Sequence, residues 1–182
     1  MPERLYFDCN AWYGPGTERF AEERWRLAEL LADLDLAGIA GALVHHAQAI
    51  EYDTMLGNRR LIAEIAPYRK RLFPCWVALP NLCGDFPDAD DFVAEARGAD
   101  VRAVRIEPVP MGVPVRESVW GSLRDVIHRE NMLVVISGPG FGGDPDLMDR
   151  FLRIFKGCDV LLTDVSWGSW RDVLTLMHDH PN

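Results

Sequence analysis

Two carboxylates, an arginine and a histidine are the side chains of this chain whose types and places best suit proton chemistry. Arg105 and Glu107 lie two residues apart on an apolar run, so a strand there puts both on one face. Together they can orient a substrate carboxylate, although an internal ion pair would show the same pattern. Asp164 ends a later apolar run and suits a general base, a metal ligand or the cap of the following helix. Glu107, Asp164 and His46 are the candidate catalytic groups. Asn10, Trp12, Arg105 and Trp167 are the candidate substrate-binding groups, each on or just after such a run.

A metal-dependent hydrolase needs two or three His or carboxylate ligands converging on one ion, and His45, His46, Glu107 and Asp164 are the residues of that chemistry. Adjacent histidines on a strand point to opposite faces, so at most one of His45 and His46 can join. The expected metal site is therefore none, with a divalent metal such as zinc as the alternative. Gly138-Pro139-Gly140-Phe141-Gly142-Gly143 matches the G-x-G-x-x-G dinucleotide pattern after a predicted strand. Pro139 removes an amide donor and Phe141 adds bulk where a pyrophosphate would approach, so a flexible active-site loop is the better account. Ser137, Ser166 and Ser169 lack a G-x-S-x-G elbow, which leaves no nucleophilic triad to build.

The elements that must position these residues alternate regularly. Six apolar runs, at 4–11, 39–46, 72–79, 101–108, 132–137 and 159–165, recur about every 30 residues, the length of a strand-helix-strand unit. Helical patterns lie between them. Leu27, Leu30, Leu31 and Leu34 draw one apolar stripe on a helix over 21–37. Leu147, Phe151, Leu152 and Phe155 do the same over 145–156, with Asp144 as N-cap, Pro145 at the first position and Gly157 after the end. Shorter helices are expected at 57–70, 88–98, 118–130 and 169–179. Trp25, Trp120 and Trp170 are expected to pack beneath helices. Runs such as Met132-Leu133-Val134-Val135-Ile136 are apolar on both faces and suit a parallel sheet covered by helices, so the fold class is α/β.

Composition bounds the function. The chain has 182 residues, 48 % hydrophobic and 26 % charged, which is one globular domain's worth. A net charge of −9 argues against nucleic acid, which needs clustered Lys and Arg. The apolar runs are too short to span a bilayer, and the opening residues show no signal peptide. Cys9, Cys75, Cys83 and Cys158 have no C-x-x-C spacing, in keeping with a reducing, cytoplasmic setting. The expected partner is a small-molecule substrate, with neither nucleic acid nor membrane.

The first run, Leu5-Tyr6-Phe7-Asp8-Cys9-Asn10-Ala11-Trp12-Tyr13-Gly14, resembles the opening of the amidohydrolase-related family of metal-dependent hydrolases and decarboxylases. Asp35-Leu36-Ala37-Gly38-Ile39, Gly57-Asn58-Arg59-Arg60-Leu61, Arg71-Leu72-Phe73-Pro74-Cys75-Trp76-Val77 and Val101-Arg102-Ala103-Val104-Arg105 continue the likeness in order. The resemblance implies a (β/α) TIM-barrel type of fold with six of eight units present. It also implies hydrolysis or non-oxidative decarboxylation of a small carboxylated or cyclic substrate.

In that family the positions of Asn10 and Trp12 are both histidine and hold the metal. A carboxamide is a poor zinc ligand, and indole offers only an N–H donor. Ser137-Gly138-Pro139-Gly140 stands where a further histidine is expected. The resemblance thus implies an amidohydrolase-like protein with a degenerate metal site, or a non-catalytic ligand-binding protein that keeps the pocket. It further implies that the single domain is incomplete at its C-terminus. Asn10, Trp12, Glu107 and Asp164 should converge at one end of the barrel, and the unpaired edge strands imply either a homo-oligomer that covers them or poor solution behaviour.

Overall fold

The computed structural model describes residues 5–16 and 25–181. Two compact units divide the chain, residues 1–77 and 78–182.

The first unit holds β1 (Tyr6–Tyr13), α1 (Leu27–Leu36), β2 (Ile39–His46), α2 (Gln48–Glu51), α3 (Thr54–Ile65) and β3 (Leu72–Val77). Its strands pair in parallel, β1 with β2 and β2 with β3. β1 runs two residues past its expected end, so Trp12 lies within the strand opposite His45. Asp8 pairs with Ala42 and Ala11 with Val44, so β1 carries one extra residue there, a bulge. The Asn10 amide donates to Asp8 Oδ1 at 2.8 Å inside it. α1 begins six residues after its expected start, and the first part of that expected helix falls on 21–24, outside the described residues.

α3 is fixed to β3 by one side chain. Asn58, 1 % exposed, donates from Nδ2 to the Val77 carbonyl at 2.8 Å and accepts the Val77 amide on Oδ1 at 2.9 Å. The carboxamide thus stands in for a strand neighbour. Gly57 lets the short α2 lie close, since a Cβ there would come 2.3 Å from the Ala49 nitrogen.

The second unit holds α4 (Ala89–Gly98), β4 (Ala103–Arg105), α5 (Glu117–Arg129), β5 (Leu133–Ser137), α6 (Pro145–Ile154), β6 (Val160–Thr163) and α7 (Trp170–Asp179). β4 pairs with β5 and β5 with β6, again all parallel. α6 starts where expected and ends two residues early: Asp144 Oδ1 accepts the Asp146 and Leu147 amides, Pro145 opens the helix, and Gly157 follows its end at φ +92°. Its apolar face packs Phe151 and Phe155 against Trp120 of α5, whose indole N–H donates to the Pro114 carbonyl at 3.0 Å. Phe141 closes the cluster edge-on to Phe151. Trp170, expected in the core, is instead 44 % exposed with Arg171 over its ring. No helix among the described residues is long and apolar enough to cross a membrane. The four cysteines form no disulfide: Cys75 and Cys158 are buried, Cys9 and Cys83 exposed.

Candidate functional site

The ends of the three strands in the second unit carry one connected polar cluster. Arg105 ends β4, Glu107 follows two residues later, Ser137 ends β5, and Asp164 follows β6. Parallel strands with helical crossovers bring these ends to one side, which is why residues far apart in sequence meet. The Arg105 Nε lies 2.5 Å from Glu107 Oε1, with both side chains buried. Ser137 Oγ donates to Glu107 Oε2 at 2.8 Å and itself accepts the Gly140 amide at 2.9 Å. The Arg105 Nη2 lies 3.5 Å from Asp164 Oδ2, and Asp164 is the exposed member of the group.

Burial sets the electrostatics. Withdrawal from water pushes the Glu107 carboxyl above the ordinary carboxylate range. The Arg105 charge and the Ser137 hydrogen bond pull it back in part, and the negative charge of Asp164 adds to the rise. Glu107 is therefore a carboxyl that holds its proton to higher pH than a surface glutamate. Asp164 sits at φ +53°, a left-handed backbone that Asp tolerates better than most residues, at a cost. That turn carries its carboxylate back toward Arg105.

The glycine-rich segment serves this cluster. A Cβ on Gly140 would fall 1.6 Å from Glu107 Oε2, so only glycine admits the carboxylate. Its amides are already committed: Gly138 donates to the Thr163 carbonyl, Gly140 to Ser137, Phe141 and Gly143 to the Gly138 carbonyl, and Gly142 to the Pro139 carbonyl. A phosphate would find none of them available. Phe141 is fully buried, so the segment is a pinned turn where the sequence suggested a loose loop.

Trp167 is 91 % exposed in a turn ahead of α7. Asn10, Trp12, His45 and His46 belong to the first unit. Trp12 is half-exposed, while His45 and His46 are buried. His46 meets Tyr13 edge-on at 5.0 Å and lines a cleft with Arg60 and Glu64 of α3. Sequence reasoning passed over Gly140, Tyr13, Glu64 and Arg60 as site residues. Only Gly140 had a visible signal, as part of its run.

The metal implied by the resemblance does not fit these residues. Among the described residues no three His, Cys, Asp or Glu side chains gather where one ion could be held. The carboxamide of Asn10 and the indole of Trp12 supply no good zinc donor.

No protein-family model matches the chain, and no curated protein matches it in sequence. Solved structures do match its fold. A probable 2-pyrone-4,6-dicarboxylic acid hydrolase from Acinetobacter baumannii, with citric acid bound, superimposes with TM-score 0.63 at 15 % identity over 87 % of this chain and 58 % of that one. An uncharacterized TIM-barrel protein from Bordetella bronchiseptica gives 0.66 at 16 % identity over 86 % and 57 %. The 5-carboxyvanillate decarboxylase of Sphingomonas paucimobilis gives 0.62 at 12 % identity over 96 % and 72 %. The chain thus spans under three-fifths of the first two structures. It is an α/β protein of the (β/α)-barrel type, with six strand-helix units among the described residues.

Proposed function

We propose that the chain acts on a small carboxylated ring, by hydrolysis or non-oxidative decarboxylation, through the cluster at the ends of β4, β5 and β6. The observation that carries this reading is the division of labour between its two carboxyls. Glu107 is buried and held by Arg105 and Ser137; Asp164 is exposed and strained on the other side of the same guanidinium. Asp164 is the group that reaches substrate or water, as a general base. Arg105 presents positive charge to a substrate carboxylate. Glu107 positions Arg105 and tunes how much charge it shows. No step is assigned to a metal.

Two of the structures of like fold are named for a dicarboxylic acid hydrolase and a carboxyvanillate decarboxylase, which supports ring carboxylates as the class to try first. Incubation with 2-pyrone-4,6-dicarboxylate and with 5-carboxyvanillate, followed by chromatography, tests the reading. Consumption of one of them is expected, and Asp164→Asn should slow it about 100-fold or more, the usual share of a general base. Unchanged turnover in that variant would remove Asp164 from the chemistry. A second reading, a protein that binds such a ligand without turning it over, is favoured by the poor donors at Asn10 and Trp12. Saturable binding with no consumption would establish it.

A further inference from the structure

We propose that the cluster at the ends of β4, β5 and β6 takes up a substrate carboxylate together with one proton from solvent, which Glu107 receives. This holds only if the cluster is the carboxylate site of the proposed activity. Charge balance is the reason. Arg105 supplies one positive charge, held 2.5 Å from Glu107 on one side and 3.5 Å from Asp164 on the other. With both carboxyls ionised the three residues carry one positive and two negative charges. An incoming carboxylate then meets net repulsion beside a guanidinium that is already matched twice. One proton makes the three residues neutral together and leaves the Arg105 charge to be shared with Asp164 alone.

Burial decides which carboxyl takes that proton. The Glu107 side chain is 4 % exposed and that of Asp164 43 %, so water solvates the charge of Asp164 far better. The charges acting on Glu107 are Arg105 of β4 and Asp164 after β6, while β5 and the turn that follows it bring only the Ser137 hydroxyl and the Gly140 amide. Withdrawal from water outweighs the Arg105 charge, which shifts Glu107 upward. A carboxylate bound beside Arg105 adds a second negative neighbour and raises Glu107 further.

The hydrogen bonds leave one oxygen for the proton. Oε1 faces the guanidinium, whereas Oε2 faces the Ser137 hydroxyl at 2.8 Å. A hydroxyl has one proton and two lone pairs, and the Gly140 amide occupies one of those pairs. Ser137 therefore donates to Oε2 while Glu107 is ionised, and can turn to accept from Oε2 once Glu107 is protonated. The contact between the two survives in both states.

Isophthalate, a ring dicarboxylate that keeps both charges near neutral pH, is the probe. Calorimetric titration at one pH, in buffers of different ionisation enthalpy, counts the protons bound with it. Above the Glu107 midpoint of the free protein, about one proton should enter per isophthalate, and affinity should weaken about tenfold for each further pH unit. Below that midpoint Glu107 is already protonated and the uptake should vanish. Glu107→Gln, which imitates the protonated carboxyl, should bind isophthalate with no uptake. Ser137→Ala removes a hydrogen bond that favours the ionised form, so uptake should begin at higher pH than in the parent. Binding by the parent without proton uptake, at an affinity flat from about pH 5 to 9, would overturn the proposal and leave the carboxylate site standing. Uptake that persists in Glu107→Gln would overturn it too, since the proton would then belong to Asp164. A protein that binds neither isophthalate nor the two ring carboxylates named above would overturn both readings.

Discussion

At the scale of single residues, the protein invests most in one carboxyl. Glu107 is buried against Arg105, bonded by Ser137, and accommodated by the missing Cβ of Gly140. Breaking such a pair from one side leaves an uncompensated buried charge, which is the costly event. Gly140→Ala should therefore destabilise the protein by about 3 kcal/mol in chemical denaturation, because the new methyl and the carboxylate cannot share the space. The effect is predicted to be non-additive: in a Glu107→Ala background the same change should cost well under half as much. Equal costs in both backgrounds would show that Gly140 is needed for the turn and not for Glu107. The raised pKa of Glu107 has a definite sign in stability. Between the ordinary carboxylate range and its shifted value the folded state holds a proton that the unfolded state has released. Its contribution to stability therefore falls as pH rises through that window.

At the scale of elements, legibility followed how local each signal was. α6 was readable at both ends because Asp144, Pro145 and Gly157 act on their own turns. The pairing of Arg105 with Glu107 was readable as a shared face, since strand alternation is local too. The bulge in β1 was not, because an extra residue exists only relative to β2. Nor was α2, four residues whose place depends on Gly57 of the next helix. β4 proved only three residues long where eight were expected. The role of Asn58 was invisible for the same reason, since its partner Val77 is nineteen residues away. Asn58→Ala should cost about 3 kcal/mol in urea unfolding, because it strands a buried amide and a buried carbonyl together. A loss below about 0.5 kcal/mol would show that β3 finds other partners for Val77.

At the scale of the whole molecule, strand-helix alternation gave the α/β class, but periodicity alone does not separate a barrel from an open doubly wound sheet. The likeness to solved TIM-barrel structures does. Among the described residues β1 pairs with β2 alone, and its Tyr6 and Phe7 are exposed. An open edge with exposed aromatics favours self-association. Sedimentation velocity at micromolar concentration is expected to show more than one chain per particle, and a monodisperse monomer would refute that expectation. The account as a whole rests on one carboxyl: burial raises the pKa of Glu107 beside Arg105, while Asp164 stands exposed on the other side of the same guanidinium. Carbon-13 NMR titration of the Glu107 side-chain carboxyl measures this directly. The account predicts a midpoint above the ordinary glutamate range that moves down in Asp164→Asn, where a neighbouring negative charge is removed. A Glu107 that titrates with the surface carboxylates, unmoved by that substitution, would contradict it.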